Sequence, residues 1–360
     1  MIVLGIESSC DETAAAVVNS EREILSNIVR SQISDHSPFG GVVPEIAARN
    51  HLEHIDKIIH QAMKVAKIDY RDLDGIAATA GPGLIGAVMV GLMTGKSIAT
   101  AHKKPFIALN HLEGHALSPR LIDKNLQFPY LLLLVSGGHC QLVIVYGVGN
   151  YRRLGTTIDD APGEAFDKVA KLLNLGYPGG PEIEKKAKLG VAKKYKLPRP
   201  LNNRPGCNFS FSGLKTAVLH LTQKLDDKNL LSQENIYDIA ASFQHAVSDI
   251  LVNRTRNAIS EYKSEFPQSP YLVVAGGVAA NSMIRQEIKK LAENEKIGLI
   301  IPDQSLCTDN GAMIAWGGIE RLDLGLIDDT SAPPRARWPL DPNAIIPEGM
   351  GTPGKLGIKG

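Results

Sequence analysis

Two histidines four positions apart, His111 and His115, form a pattern that could bind a metal ion. They follow the apolar run 105–109 and the capping residue Asn110, so we expect a helix that places both imidazoles on one face. Imidazoles at this spacing can share one ion, and a third ligand must then come from elsewhere in the chain. A chance pair, with one histidine in the core and one solvated, is the alternative.

Glu113 lies between these histidines, one position later than the glutamate of the His-Glu-x-x-His helix of zinc proteases. On a helix, this shift turns the side chain about 100° away from where that motif places its general base. A protease reaction is therefore disfavoured from the start.

The elements that must position these histidines include a strand, polar turn and strand arrangement that occurs twice. The first copy has strands at 2–6 and 14–18 around the turn 7–13, and the second has strands at 130–135 and 140–146 around the turn 136–139. This repeat predicts a duplicated α/β domain. Two such turns facing across a cleft can hold a nucleotide's phosphates, because their backbone N–H groups and hydroxyls bind anions. Two ordinary β-hairpins would give the same pattern.

Three further loops could contribute to such a cleft. The glycine-rich loop 81–86 opens a small-residue helix, where it either approaches a phosphate or forms a structural turn. A predicted strand at 271–275 runs into two glycines and Asn281, whose amide could contact adenine or ribose. The absence of G-x-G-x-x-G there disfavours a dinucleotide-binding Rossmann site. Asp309 precedes a predicted helix, whose dipole favours a carboxylate at that end.

Composition narrows the class of protein. With 44% hydrophobic residues, 34 glycines and 5% aromatic residues, the chain is typical of a soluble α/β protein. Its formal charge of +1 gives no general attraction to polyanions, so a nucleic acid would need a local basic patch. The longest apolar run, 84–93, is too short to span a membrane. Four widely spaced cysteines without a C-x-x-C pair indicate reduced thiols, and no leader pattern is present, so we expect a cytoplasmic protein.

Two segments differ from the rest in composition. Residues 185–204 carry eight basic side chains and no acidic one, so this basic insertion could follow an RNA backbone, although such runs are usually solvated faces. From residue 331 to residue 360, proline, glycine and arginine dominate without periodicity, which predicts a tail.

Taken together, six motifs closely resemble those of the TsaD family, which forms threonylcarbamoyladenosine in tRNA and was once labelled O-sialoglycoprotein endopeptidase. The motifs occur in order at residues 6–13, 81–86, 110–115, 133–139, 276–281 and 309–316. The resemblance implies the fold of the actin, Hsp70 and sugar-kinase superfamily (ASKHA), with two duplicated α/β lobes around a nucleotide cleft. We assign residues 1–112 and about 308–330 to the first lobe, and residues 113–307 to the second.

The resemblance also implies an activity. Members of the family transfer a threonylcarbamoyl group from threonylcarbamoyl-AMP to the exocyclic amine of the adenosine beside the anticodon, in tRNAs reading codons that start with A. Bacterial members act with TsaB and TsaE, so a TsaB-like paralogue and a TsaE-like ATPase are the expected partners besides tRNA. A metallopeptidase, or an ATPase or kinase of the same fold, is the alternative function.

The family pattern carries over to individual residues. It implies that one iron or zinc ion is bound by His111, His115 and Asp309. It implies that the acyl-adenylate is bound by Leu134, Val135, Ser136, Gly137, Gly138, Asp167, Gly180 and Asn281. We expect Asp11 or Glu12, which would line the cleft, to handle a proton. Three positions depart from the pattern: Cys140 replaces Thr, Glu184 replaces an Asp that contacts ribose, and Asn208 replaces Asp.

Overall fold

The computed structural model describes residues 1–202, 204–227, 230–268, 270–345 and 347. Within those residues, two five-stranded sheets form the framework of the molecule. The first sheet contains β1 (Ile2–Glu7), β2 (Glu12–Asn19), β3 (Ile24–Ser31), β4 (Gly75–Gly81) and β5 (Phe106–Asn110). The second contains β6 (Tyr130–Val135), β7 (Cys140–Gly147), β8 (Asn150–Thr156), β9 (Tyr271–Ala275) and β10 (Gly298–Ile300).

Helices connect and cover these strands. Those before β6 are α1 (Ile33–His36), α2 (Pro44–Ala66), α3 (Ile85–His102) and α4 (His111–Ile122). Those after β8 are α5 (Pro162–Leu172), α6 (Gly179–Ala187), α7 (Ser212–Asp226), α8 (Gln233–Glu265), α9 (Ser282–Asn294), α10 (Gln304–Cys307) and α11 (Gly311–Asp323). Short 3₁₀ helices occupy Ser37–Phe39, Tyr70–Asp72 and Gly277–Ala280.

The two sheets have the same topology. Their strand orders are β3-β2-β1-β4-β5 and β10-β9-β6-β7-β8. In each sheet, the first three strands in sequence pair antiparallel as neighbours. The fourth strand then pairs parallel with the first strand, and the fifth pairs parallel with the fourth. This identity confirms the predicted duplication and the two-lobed α/β fold. It also places the polar turns after β1 and β6 at equivalent positions.

Helix α4 lies between the two lobes, with almost every residue buried. Its Leu117 and Leu121 pack into the core of the first lobe, together with side chains of β1, β5 and α11. Its Leu112 and Ala116 pack instead with side chains of β6, β7 and β9. A helix that is apolar around most of its surface must be covered on all sides. The histidine helix is therefore held rigidly by both lobes.

Helix α11 follows the second lobe in sequence but packs on the first sheet. The approach is close because glycines face each other. A Cβ on Gly5 of β1 would lie 2.2 Å from Ala315 N, and a Cβ on Gly311 would lie 2.5 Å from Ala16 N. Only glycines permit this backbone contact. The packing supports assigning residues 308–330 to the first lobe, while the exact division at 112 and 308 remains our proposal.

The first part of the predicted tail, residues 331–341, packs against the body of the protein. Arg335 N donates to Ala80 O at 2.7 Å, and Arg153 N donates to Asp341 at 3.0 Å. Leu340 is buried against the second lobe. We call residues 331–341 the C-terminal segment. Most of the predicted tail beyond it, residues 346 and 348–360, lies outside the described residues.

Three other features differ from the sequence prediction or complete it. The glycine- and proline-rich stretch 176–181 is a loop only as far as Pro178, because α6 begins at Gly179 and Pro181 in its first turn needs no N–H partner. The antiparallel strands β3 and β8 were not predicted. Among the described residues, no helix is both long and apolar enough to cross a membrane.

Candidate functional site

Three metal-binding side chains converge at the start of α4. The Asn110 side chain caps the helix by accepting a hydrogen bond from Leu112 N at 2.9 Å. His111 and His115 then lie one turn apart, with ring centroids separated by 4.8 Å and ring planes nearly perpendicular, at 87°. Asp309 Oδ1 lies 3.4 Å from His111 Nε2 and 3.0 Å from His115 Nε2. The packing of α11 on β1 and β2 is what brings this carboxylate to the histidine pair.

A second carboxylate, which the sequence analysis did not identify, lies behind His111. Glu7 ends β1 with its side chain fully buried, and its Oε2 lies 2.9 Å from His111 Nδ1. With Nδ1–H donating to this carboxylate, the other ring nitrogen of His111, Nε2, faces Asp309 and would be the atom that binds a metal ion in place of a proton. Thr79 Oγ1 and Ser9 N also donate to Glu7. A charged residue at the end of an apolar strand was the available signal.

The electrostatics of this cluster show strong mutual stabilisation of charge. Burial alone would lower the pKa of His111, but the charges of Asp309 and Glu7 outweigh it and raise the pKa well above its usual value. Burial would raise the pKa of Asp309, yet His111 and His115 hold it well below its usual value. The pKa of Glu7 is lowered against burial by His111. The protein thus keeps two buried negative charges beside two imidazoles.

These residues fit a divalent iron or zinc ion. One ligand atom from each of His111, His115 and Asp309 lies within 4.8 Å of the others. Two imidazoles and one carboxylate suit both metals and leave coordination positions free for oxygen ligands. The carboxylates of the partly exposed Asp309 and the buried Glu7 would balance the charge of the ion.

Two of the three metal ligands, His111 and Asp309, line a cleft of about 690 Å³ between the lobes, and the third, His115, is fully buried beside them. The turn after β1 forms one wall and the turn after β6 forms the other, as the repeat predicted. Predicted site residues that line the cleft are Asp11, Glu12, His111, Ser136, Gly137, Gly138, Asp167, Gly180, Glu184, Asn281 and Asp309. Residues from seven separate segments of the chain therefore meet in one space.

Two of the predicted substrate residues have side chains that lie in the core and not in the lining of the cleft. Leu134 and Val135 are fully buried in β6, where Leu134 packs with the α4 side of the sheet and Val135 with the opposite core. Both faces of β6 are covered, so neither side chain reaches the cleft. The contact to the cleft begins at Ser136, where the strand ends.

The remaining predicted substrate residues differ in how much of their bonding capacity is free. A Cβ on Gly137, Gly138 or Gly180 would meet nothing within 4 Å, so these backbones face open space. Asn281 caps α9 through Ile284 N and donates to Gln244, which leaves one amide hydrogen available. Glu184 accepts hydrogen bonds from Ser282.

Two acidic residues in the cleft have perturbed pKa values. Burial, together with the charge of Asp11, raises the pKa of Glu12 well above its usual value. Burial raises the pKa of Asp167 to about 6, although Gly179 N donates to its carboxylate at 2.7 Å. Carboxylates with raised pKa values hold a proton more readily, which suits proton transfer or the binding of an anionic ligand.

Several cleft residues were not predicted as site residues. His139 ends the turn after β6, and its buried Nε2 has no hydrogen-bond partner among the described residues. Burial and the charges of His111 and His115 lower its pKa to about 3. Tyr177, Lys185 and Lys188 also line the cleft. The position of His139 next to the Ser-Gly-Gly turn was the signal that could have identified it.

Glu113 does not belong to the site. Its carboxylate accepts a hydrogen bond from Gly149 N at 3.0 Å and another from Arg321 at 3.2 Å. It is buried and holds α4 against α11 and the loop after β7. Since a peptidase of the His-Glu-x-x-His type needs this acid beside the metal, the metallopeptidase alternative loses its general base.

Comparison with known proteins agrees with this site. A family model described as TsaD, tRNA N6-adenosine threonylcarbamoyltransferase, matches residues 23–316. The chain belongs to the TsaD family. A TsaD relative from Paramagnetospirillum magneticum, named tRNA N6-adenosine threonylcarbamoyltransferase, is 59% identical over 96% of this chain and 98% of its own length. One from Rhodospirillum rubrum with the same name is 54% identical over 97% of each chain.

Solved structures place this TsaD-family chain in the ASKHA fold. HypF from T. kodakarensis superposes with a TM-score of 0.57 at 17% identity, over 89% of this chain and 48% of that chain. The phosphate- and nucleotide-bound form of full-length HypF gives a TM-score of 0.55 at 13% identity, over 90% of this chain and 55% of that chain. At these identities the likeness concerns the fold alone.

Proposed function

We propose that this enzyme transfers the threonylcarbamoyl group from threonylcarbamoyl-AMP to the exocyclic amine of the adenosine beside the anticodon, in tRNAs that read codons starting with A. The observation that carries the proposal is the cluster of His111, His115 and Asp309 at the end of a cleft formed by two polar turns, in a member of a tRNA-modifying family. An acyl-adenylate needs both an anion-binding turn and a polarising centre, and this cleft offers both.

The metal is part of the proposal. His111, His115 and Asp309 would hold one Fe²⁺ or Zn²⁺ per subunit, and Glu7 would fix the His111 ring through Nδ1. The bound ion would supply Lewis-acid polarisation at the acyl-phosphate group. The other steps do not need the metal ion, since the protein groups described below position the substrate and accept the proton of the attacking amine.

The two turns and α6 would bind the adenylate. Backbone N–H groups at Gly137 and Gly138 would donate to its phosphate, because this open turn has no side chains in the way. Gly180 would let the substrate approach the first turn of α6 closely, where the helix dipole also favours the phosphate. Glu184 and Asn281 would contact the ribose and the base, with the free amide hydrogen of Asn281 as a donor.

The transfer itself makes one bond and breaks one. The adenosine amine attacks the carbamoyl carbonyl carbon, the bond from that carbon to the phosphate oxygen breaks, and AMP leaves. A proton must leave the attacking amine. Glu12, whose pKa is raised by burial, is the proposed acceptor, with Asp11 beside it as the alternative. Since the amine is a weak nucleophile, holding it against the carbonyl supplies much of the rate.

The basic insertion gives the tRNA a route to the cleft. Lys185 on α6 and Lys188 just after it line the cleft, and Lys193 and Lys196, which follow in the same segment, are exposed. Lys194 is engaged by Asp238 at 2.6 Å, so we do not count it as a free phosphate contact. We propose that this segment contacts the tRNA backbone, and that a TsaB-like paralogue and a TsaE-like ATPase act with the enzyme.

One experiment tests the transferase activity. The protein and those partners are incubated with tRNA, ATP, bicarbonate and labelled threonine, and the label in tRNA is measured. We expect label with wild-type protein, a loss of about 100-fold or more with Asp309→Ala, and no loss with Asp323→Ala, an exposed aspartate at the other end of α11. Absence of label in tRNA with competent partners would refute the transferase proposal.

A second experiment tests the tRNA route. Charge reversal at Lys193 and Lys196 should raise KM for tRNA and make this KM less dependent on salt concentration. The kcat should stay within about twofold, because contacts to the tRNA phosphates contribute equally to binding of the ground state and of the transition state. Reversal at the exposed Lys57 of α2 serves as the control. An equal increase in KM for both variants would show that only net charge matters.

A further inference from the structure

The buried face of α2 contains one polar side chain where its apolar pattern calls for a hydrophobic one. Its stripe runs through Ala47, Ile55, Ile58, Ile59, Ala62 and Met63, and His51 occupies the same face with no exposed surface. A buried imidazole costs free energy unless both ring nitrogens have partners. The partners of His51 therefore indicate its role.

Both nitrogens of His51 bind the turn after β1. Nε2 lies 3.0 Å from Cys10 O, and Nδ1 lies 2.7 Å from Thr13 Oγ1. A carbonyl only accepts, so Nε2 carries the hydrogen, and the Thr13 hydroxyl donates to Nδ1. The two hydrogen bonds hold Cys10, directly before Asp11, and Thr13, directly after Glu12. Burial lowers the pKa of His51, which agrees with a neutral ring in this tautomer.

A second residue holds the same turn from the same side. Gln32 N donates to Asp11 O at 2.9 Å. The Gln32 side chain lies 3.4 Å from the His51 ring and accepts from His36 Nε2 at 3.2 Å. His36 Nδ1 in turn accepts from Val43 N, directly before α2. The carbonyls of two successive turn residues are thus tied to one buried polar network.

We propose that His51 is a positioning residue that fixes the orientation of the Asp11 and Glu12 side chains in the cleft. The inference rests on the proposed function, in which one of these carboxylates accepts the proton of the attacking amine. His51 does not reach the cleft itself, and it acts through the backbone on either side of the two acids. A displacement of about 1 Å at such a group is sufficient to reduce a rate about 100-fold.

The competing explanation is that His51 only stabilises the fold. A purely structural role predicts that any destabilising change in α2 lowers activity to the same extent. A positioning role predicts a loss of kcat that stability does not explain, with KM for tRNA and metal affinity retained, because neither the RNA contact nor the ligand cluster involves His51.

Four variants separate these explanations. His51→Leu keeps the volume and removes both bonds, while His51→Gln keeps a donor near Cys10 O. Ile58→Ala destabilises the same buried stripe without touching the turn, and His60→Leu changes an exposed histidine of the same helix. Each is assayed with tRNA and the partner proteins for kcat and KM, for Zn²⁺ affinity and for thermal unfolding.

We expect His51→Leu to lower kcat about 10- to 100-fold, with KM and Zn²⁺ affinity within about twofold of wild type. His51→Gln should recover much of the lost kcat, and Ile58→Ala and His60→Leu should leave kcat nearly unchanged. Wild-type kcat in His51→Leu overturns the inference. So does an equal loss of kcat in Ile58→Ala at a matched melting temperature.

Hydrogen exchange tests the inference even if the wild type transfers no label. Amide exchange of residues 8–13 should accelerate in His51→Leu and stay at the wild-type rate in Ile58→Ala. Unlabelled tRNA with this exchange pattern would refute the proposed function and leave the turn restraint standing. Unchanged exchange in His51→Leu would refute the restraint itself, whatever the activity.

Discussion

Replacing Gly311 with alanine should weaken metal binding without changing any metal ligand. Gly311 begins α11, and a Cβ there would lie 2.5 Å from Ala16 N and 2.6 Å from Ala15 C. Both atoms belong to the backbone of β2, which cannot rotate out of the way. The start of α11 must therefore move outward by about 1 Å to reach ordinary contact distance.

The displacement acts directly on Asp309, two residues earlier. Its Oδ1 lies 3.0 Å from His115 Nε2, and metal sites hold their ligand distances within about 0.2 Å. A shift of about 1 Å takes the carboxylate out of its bonding position, so we expect Zn²⁺ affinity to fall about 10- to 100-fold. Overpacking should also cost about 1–3 kcal/mol, which lowers Tm by about 2–4 °C per kcal/mol.

The assay is Zn²⁺ binding to metal-free protein by calorimetry or competition with a chelating dye. Gly213→Ala in α7 is the matched control, since the atom nearest to its Cβ would be Pro200 Cγ at 3.8 Å. Gly114→Ala in α4 gives an intermediate case, because its Cβ would meet the flexible end of Ile314 at 3.0 Å. Wild-type affinity in folded Gly311→Ala would refute the reasoning, and so would an equal loss in Gly213→Ala.

Three further outcomes are expected. Asp309→Ala should reduce bound metal in purified protein, as measured by elemental analysis, and undiminished metal would exclude it as a ligand. Glu7→Gln should lower Zn²⁺ affinity about 10- to 100-fold by loosening the His111 ring; an unchanged affinity in calorimetry would contradict this. The pKa of Asp167 is raised from 3.8 to about 6, so the folded protein binds its proton more tightly and stability should fall as pH rises through this range. The amide introduced by Asp167→Asn can still accept a hydrogen bond from Gly179 N but does not titrate, so the melting temperature of this variant should depend less on pH between pH 4 and pH 7. The same pH dependence of melting temperature in variant and wild type would contradict the prediction.

Periodicity and turn residues predicted most of the elements, because their signals are local. The Asn110 cap, the histidine spacing and the repeated hairpins can all be identified within about ten residues of sequence. The third ligand is different. Asp309 was assigned through the family resemblance. It approaches His115 because α11 packs closely on the first sheet, with Gly5 on the sheet and Gly311 on the helix in contact, and no rule of sequence spacing predicts that contact.

Other features lie beyond local signals for similar physical reasons. Leu134 and Val135 were assigned to the substrate site through the family resemblance, and a strand covered on both faces buries their side chains. Glu7 was grouped with a polar turn, although it ends β1 inside the core. The C-terminal segment has no periodicity because its bonds, such as that from Arg335 N to Ala80 O, involve a distant strand rather than its own neighbours.

The C-terminal segment has a mechanical consequence. It is anchored to the first lobe at Ala80 and to the second lobe at Arg153, and between these points Trp338 O accepts a hydrogen bond from the side chain of Asn110. If the two lobes moved apart, this segment would be stretched and would pull on Asn110, which caps the histidine helix. Proteolysis or truncation before residue 338 should therefore remove a link between the lobes and also loosen the first turn of α4.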